Sequence, residues 1–389
     1  LYKNIDFDTM IAQHSAYPTL PKSLGFCASI YTNEPYWKCL KGDVEVLTPF
    51  GWKQIKDITE VDKVMVSDKH GKMHFEQTKP VSFFFSGEGF RIKTLRHDCW
   101  YTPEHKILTE SMHRGERKAI TAKLLDHRRN IITSGNFSEG ILSYKAIRLL
   151  VAIQADGHID SNRVYFNLTK QRKIDRLYEL CNSLDITIRN SLGSVMRERF
   201  ECSIGGDIVC EIINRLGPKK DFDSWLLAFD WKTLDAFLDE LSYWDGWITY
   251  NGEAKNYSSK NWNNIQWVAT IGHIRGMLCH IGRATGQELD YWKISLKNNY
   301  STSFKPYHSS KEYYEGNVYC LTTSTGYFLA KSNNTIFITG NSEGKEAMDD
   351  LKRGILSWDK LYIYNGKDCC LTYEIYTALK QELTDWDVW

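Results

Sequence analysis

The sequence predicts a mixed fold: an all-β unit interrupted by an α/β unit of two repeats, with short, mainly helical segments outside both. Three observations predict it. Apolar residues alternate between turn signals over residues 39–136 and again over 306–341, the period-two pattern of strands. Helical periodicity with interspersed strands fills 137–305. Inside that stretch a helix-then-strand series starts near Tyr144 and starts again near Thr233.

The elements follow in order. Residues 1–38 read as a helix start at Asp8-Thr9-Met10-Ile11, then a stretch punctuated by Pro18, Pro21 and Pro35. After Cys39, Val44 and Val46 alternate with polar neighbours, and Thr48-Pro49-Phe50-Gly51 forms a turn. Trp52, Ile55, Val64, Val66 and a His70-Gly71 turn continue the β texture. Arg91–Tyr101 reads as one strand. Tyr144–Ala155 reads as a helix and Val164–Leu168 as a strand. Lys173–Leu184 reads as an amphipathic helix, with Ile174, Leu177, Leu180 and Leu184 at helical spacing. Strand texture returns at Val318–Thr323 and Ile336–Ile338. Residues 342–389 are helical, with Leu371, Ile375, Ala378 and Leu379 on one face.

Composition bounds the function. A chain of 389 residues suggests two or three domains. With 42% hydrophobic and 25% charged residues it is globular rather than disordered. No apolar run approaches the roughly 20 residues of a membrane helix, and no leader opens the chain, so a reduced, cytoplasmic protein off the membrane is expected. Its ten cysteines include no Cys-x-x-Cys pair, which argues against structural zinc. The start at Leu1 and the abrupt end at Trp389 read as a piece of a longer protein. The formal net charge is only +1. Residues 39–341 nevertheless hold 40 basic against 35 acidic residues, so the positive excess lies there, the sign that phosphate binding requires.

Three elements sit at the edges of the β segment: Cys39-Leu40-Lys41-Gly42-Asp43-Val44-Glu45-Val46, Thr102-Pro103-Glu104-His105, and Ile336-Phe337-Ile338-Thr339-Gly340-Asn341 followed by Ser342. Together they resemble an intein, a self-excising segment with the horseshoe-like, all-β Hint fold. The resemblance covers Cys39–Asn341, 303 residues. It implies that the Cys39 thiol attacks the Lys38 carbonyl to form a thioester, splitting one hard step into easier ones. A histidine can serve the thiol and the leaving nitrogen near neutral pH, so His105 is the candidate proton carrier. Thr102 is the candidate that orients the scissile peptide. Ser342 would then take the acyl chain, Asn341 would cyclise and release the intein, and an O-to-N shift would leave a Lys38–Ser342 bond. No cofactor is implied for these steps.

The chain departs from this pattern where Gly340 replaces the usual penultimate His. Cys320 and Gly326 replace a late-strand Asp and His. Either another group assists Asn341 or the step is slower. Cys320 is a candidate helper if its thiol is tuned; a buried strand residue is the plain alternative. Gly340 would let the backbone bend beside Asn341.

Leu149-Leu150-Val151-Ala152-Ile153-Gln154-Ala155-Asp156-Gly157 and Leu238-Asp239-Glu240-Leu241-Ser242-Tyr243-Trp244-Asp245-Gly246 each resemble the LAGLIDADG motif of homing endonucleases. Small Ala152, Ala155 and Ser242 permit close helix approach, and Gly157 and Gly246 would end the helices. The resemblance places Asp156 and Asp245 together as metal-binding catalytic carboxylates for Mg²⁺. Lys220 matches the family's lysine ahead of the second motif. The strands of each half would lie in the major groove of double-stranded DNA, and the target implied is the uninterrupted host gene. Candidate contacts are Lys170, Arg172, Arg189, Arg197, Arg199, Lys293 and Lys297, which as surface residues are equally read as solvated. Gln154 replaces a common Asp, and Trp244 stands where the family prefers a small residue, so a degenerate, purely structural insert is the competing reading. A nuclease on a β scaffold that does not splice is another.

The flanks 1–38 and 342–389 join into a piece that resembles the 3′–5′ exonuclease region of a phage-type family A DNA polymerase. The carriers are Asp8-Thr9-Met10, Leu20-Pro21-Lys22-Ser23-Leu24 and Tyr364-Asn365-Gly366-Lys367-Asp368. Tyr364 and Asp368 would be that host's exonuclease motif, on a fragment too short to work as an exonuclease. A helix cap plus a core aromatic is the plain alternative for that pair. The whole is expected to be a monomer in a bacterial or phage-infected cell.

Overall fold

The computed structural model describes residues 9–16, 39–190, 200–250, 252–286, 289–340, 372–381 and 383–384. Lys38, Arg197, Arg199, Asn341, Ser342, Tyr364 and Asp368 therefore lie outside the described residues. The described part is mostly β. Helix α1 spans Thr9–Ala16, ahead of the first strands.

Strands from both sides of the central region share two β assemblies. A closed barrel links Leu40–Lys41, Ser309–Thr322, Lys79–Thr94 and His97–Tyr101. Its long arm pairs Ser309–Thr322 antiparallel with Lys79–Thr94, from Ser309↔Ile92 to Thr322↔Lys79. The stretch Arg91–Tyr101 is thus the top of a hairpin and not one strand. Thr94 pairs with His97 across a tight turn, and the alternating apolar pattern runs through the turn. The second assembly is an 11-stranded sheet that takes in Thr335–Gly340, Tyr327–Ser332, Lys106–Ser111 and the returning Ser301–Ser303. Alternation puts Val44, Val46, Val64, Val66, Ile107, Phe328 and Phe337 in one core between these assemblies.

The central region repeats itself. Helix α2 (Ile147–Asp156) leads into a sheet ordered His158–Asp160, Arg163–Leu168, Phe200–Gly205, Arg189–Asn190. Helix α3 (Gln171–Ser183) crosses within that half, and α4 (Asp207–Leu216) follows it. Helix α5 (Trp231–Leu241) leads into a second sheet ordered Gly246–Ile248, Ala254–Ser259, Leu289–Lys297, Leu278–Gly286. Helix α6 (Trp262–Ile274) takes the place of α3. In both sheets the chain order of the strands is first, second, fourth, third.

Local chemistry starts these helices. The Asp230 carboxylate accepts from the Thr233 amide at 2.7 Å to cap α5, and the Asn261 side chain accepts from Asn263 and Asn264 to cap α6. Helices α2 and α5 pack on each other, and Leu149–Ile153 is fully buried among Leu234, Phe237, Leu238 and Leu241. That cluster runs on to Leu47, Met65, Met73, Leu108 and Ile132 of the sheet, so the two regions share a core. Polar contacts line the seam. The Trp52 indole donates to the Thr270 hydroxyl at 2.9 Å, and Ser134 Oγ lies 2.9 Å from His273 Nδ1.

Two glycine roles differ from expectation. Gly157 does end α2, but on extended backbone, and Gly246 opens a strand after the turn that follows α5. Neither has a positive φ; a Cβ would press against Ile153 O at 2.7 Å and Asn256 O at 2.1 Å. Space decides both positions. Gly340 likewise does not bend: it is paired with Tyr327 in its strand, and a Cβ would meet the Lys106 carbonyl at 2.6 Å.

Candidate functional sites

The first site gathers at the barrel. Strand Leu40–Lys41 is held between Ser309–Thr322 and His97–Tyr101, which fixes Cys39 just before it. Cys39 is fully buried, walled by Phe85, Trp100 and Val318. Its amide N–H, the nitrogen of the Lys38–Cys39 peptide, donates to Thr102 Oγ1 at 3.0 Å. Its carbonyl accepts from the Thr102 amide at 3.3 Å. One threonine thereby grips both sides of Cys39. The turn after Thr102, closed by the His105 amide on the Thr102 carbonyl at 3.0 Å, carries His105 into the core.

His105 Nε2 lies 2.6 Å from Thr339 Oγ1. Thr339 pairs with Ile107, so the strand that ends at Gly340 lies along the turn that serves Cys39. The Tyr101 ring lies tilted beside His105, at 4.8 Å between centroids, and its hydroxyl lies 2.9 Å from His97 Nε2. All four side chains are fully buried. Burial holds the His97 imidazole neutral and pulls its pKa down to about 3, against a smaller opposing pull from Asp98. Thr339, Tyr101 and His97 were not singled out from sequence; Thr339 lies 234 residues from His105, beyond any local pattern.

Cys320 is placed beside Cys39. The register Leu40↔Tyr319 and Lys41↔Val318 sets residues 39 and 320 opposite each other, and both belong to one buried cluster. Its expected partner, Asn341, lies outside the described residues, as does Ser342.

The second site lies where α2 and the turn after α5 meet. Asp156 ends α2, and Asp245 precedes the strand that opens the second sheet. The structure brings the two carboxylates together around one side chain: Lys173 Nζ is 2.5 Å from Asp156 Oδ2 and 3.9 Å from Asp245 Oδ1. Lys173 also stands over the Trp244 ring at 5.6 Å. Burial and the neighbouring Asp156 push the Asp245 carboxyl up, opposed by Lys173, Lys220 and Lys170.

Lys220 sits in a loop pinned by α6. Asn264 donates to the Lys220 carbonyl at 3.1 Å and accepts from the Phe222 amide at 2.7 Å. Its ammonium then donates to the Gly157 carbonyl at 3.0 Å, beside the pair, where burial lowers its pKa against the pull of both carboxylates. A cavity of about 500 Å³ opens there, lined by Asp245, Lys219, Lys220, Lys260 and Asn261.

Two carboxylates are the hard oxygen donors that suit a divalent ion such as Mg²⁺, so the donor chemistry fits. The same oxygens are also in contact with Lys173. Among the described residues no group of three or more His, Cys, Asp or Glu gathers to hold a metal, here or elsewhere.

Behind the pair, the buried Glu240 carboxylate takes Arg148 at 3.0 Å, Arg176 at 2.9 Å and the Trp244 indole at 2.9 Å. Trp244 thus ties this cluster to the pair. Gln154 accepts from Tyr257 at 3.3 Å. Neither Lys173 nor the Glu240 cluster was found from sequence, because no spacing marks which helix crosses which.

The expected DNA contacts divide. Arg189, Lys293 and Lys297 are exposed on sheet strands, with Lys293 over the Trp247 ring at 5.2 Å. Lys170 and Arg172 are exposed but begin α3, so they are not strand residues. Arg172 donates to the Tyr243 carbonyl, which occupies it. Arg197 and Arg199 lie outside the described residues.

No protein-family model matches the chain. It is 24% identical to a ribonucleoside-diphosphate reductase subunit beta of Aquifex aeolicus over 359 residues, 78% of this chain and 50% of that protein. It is 36% identical to an ATP-dependent Clp protease proteolytic subunit of Chlamydomonas moewusii over 72 residues, 18% of this chain and 7% of that one. The chain therefore spans half or less of these relatives. Similar solved structures include an AceL NrdHF class 3 split intein, at 10% identity and TM-score 0.31 over 79% of this chain and 99% of that one. They also include I-DmoI in complex with DNA and Mn, at 15% identity and TM-score 0.30 over 39% of this chain and 89% of that one. A third is full-length DUF199/WhiA from Thermatoga maritima, at 15% identity and TM-score 0.30 over 41% and 53%.

Proposed function

We propose that the chain is an autocatalytic protein-splicing precursor whose residues 39–341 excise themselves and join Lys38 to Ser342. The carrying observation is the single buried polar chain from Thr102 on Cys39 to His105 on Thr339, two residues before Asn341. Thr102 fixes the scissile nitrogen and the Cys39 carbonyl, which holds the thiol's backbone still while it attacks the Lys38 carbonyl. His105 delivers a proton to the departing Cys39 nitrogen. Thr339 holds the His105 ring and links its position to the strand that leads to Asn341. Ser342 takes the acyl group from the thioester, and Asn341 cyclises to cut the second junction.

On this reading 39–136 and 306–341 form the Hint unit, which the returning strand Ser301–Ser303 joins, and the rest of 137–305 forms a nested homing-endonuclease insert that binds double-stranded DNA as a monomer. The repeated sheets and the basic exposed strand residues support this. Asp156 and Asp245 would hold a divalent ion, whose contribution is to activate water and stabilise the leaving oxygen of a phosphodiester. Lys220 faces that position as a cation for phosphate. The flanks 1–38 and 342–389 are read as host sequence of the family A polymerase type, with Tyr364 and Asp368 its remnant motif, in the cytoplasm of a bacterial or phage-infected cell.

Expression of the full chain under reducing conditions tests the first claim. Intact-mass measurement is expected to give an excised 303-residue product and a ligated 86-residue product. Persistence of the uncut chain would refute splicing. Gel-shift with duplex DNA carrying the uninterrupted host sequence tests the second.

A further inference from the structure

We propose that Lys173 is a tethered counter-ion that holds the divalent-ion position between Asp156 and Asp245, so that metal loads only when DNA draws Lys173 away. This rests on reading the insert as a DNA-binding nuclease unit.

The geometry carries it. Lys173 projects from the first turn of α3, and its ammonium reaches both carboxylates, at 2.5 Å and 3.9 Å. Its side chain is 11% exposed, so it is built into the site and does not wave in solvent. The Trp244 ring lies 5.6 Å from the ammonium and helps keep it there. With Lys220 and Lys170 also acting on Asp245, the two carboxylates already face more than one ammonium group before any metal arrives. A divalent ion bound to the same oxygens at about 2.1 Å would sit within a few ångströms of the Lys173 ammonium. Repulsion between such charges at this range is strong in a partly dry site. The ion and the ammonium therefore exclude each other. The adjoining cavity is lined by Asp245, Lys219, Lys220 and Lys260, so a DNA phosphate entering it would stand beside the carboxylate that Lys173 holds and add an anion to the site.

The test uses the full chain with Cys39→Ala and Asn341→Ala to keep it intact. Mn²⁺ binding is read by electron paramagnetic resonance, without DNA. Lys173→Met and Lys173→Gln are each expected to bind Mn²⁺ at least tenfold more tightly than the chain with Lys173, and Asp156→Asn in the same background is expected to remove the gain. Melting should follow: Mn²⁺ raises the Tm of the Lys173 variants and leaves the Tm of the parent unchanged. Uninterrupted-site duplex, with phosphorothioates blocking cleavage, should raise the parent's Mn²⁺ affinity and change the variants' little. Equal Mn²⁺ affinity in parent and variants, or no Asp156-dependent gain, overturns the proposal. Failure of the nuclease reading shows separately, as no DNA binding by any of these chains while the Mn²⁺ difference between them persists.

Discussion

The barrel and the insert bury polar groups in opposite ways. Around Cys39 the buried groups are hydroxyls and imidazoles: Thr102, His105, Thr339, Tyr101 and His97 make hydrogen bonds in a site closed to water. Around Asp156 they are charged and half open: two carboxylates, Lys173 and Lys220 beside a cavity, backed by Glu240 between Arg148 and Arg176. Under the proposed function, the contrast matches what each site would meet. A site that acts on its own backbone brings its substrate with it, and excluding water protects a thioester from hydrolysis. A site meant for a polyanion must keep cations near the surface and balance them until the anion arrives.

The comparison breaks most visibly at Cys39. Cys39→Ala is expected to abolish cutting at the Lys38–Cys39 junction by mass measurement while duplex binding by the insert stays unchanged. If the same substitution also ends DNA binding, the two regions are not chemically independent.

His105→Ala should slow thioester formation about 10²–10⁴-fold, the range for a positioned proton carrier. Thr339→Val should slow it less and Thr339→Ser should restore it, read as thiol-induced cleavage rates. A silent Thr339→Val would show that His105 is held by other means.

In the insert, Glu240→Gln leaves two guanidinium groups facing a neutral amide. The expected loss is about 3 kcal/mol of stability in denaturant melts, because the buried carboxylate shared by both is gone and Arg176 keeps only Glu179 and Arg148 only the more distant Asp239. A loss below about 1 kcal/mol would mean that the arginines reach solvent easily.

A further effect is with pH. His97 in the barrel and His273 at the seam have folded pKa values pulled down by burial to about 3 and about 4, from an ordinary 6.5. The unfolded chain takes up these protons first as pH falls. Their contribution is therefore whole above about pH 6.5 and fades as pH drops through 5 towards 3, by at most about 1.4 kcal/mol per pH unit for each. His97→Gln should flatten this slope in melts at pH 7 and pH 5, and an unchanged slope would assign it to other groups.

Much of this was legible in the chain. Alternation at Val44, Val46, Val64 and Val66 and helical spacing at Ile174, Leu177 and Leu180 located strands and α3 to within a few residues. Local periodicity records which side of an element is buried. The repeat was visible because two helices must each present an apolar face. The resemblance to inteins marked Cys39, Thr102 and His105, and the resemblance to the LAGLIDADG motif marked Asp156 and Asp245, as groups expected to lie near one another.

Only the tertiary structure decided which groups meet. Thr339 reaches His105 across 234 positions, Arg176 reaches Glu240 across 64, and Lys173 reaches back 17 to Asp156 over a helix crossing. It also decided that Gly157, Gly246 and Gly340 are needed for space and not for a left-handed turn. A sequence fixes the side of each element that seeks burial. The register and crossing that put one ammonium between two carboxylates come from packing the whole core, which no local pattern encodes.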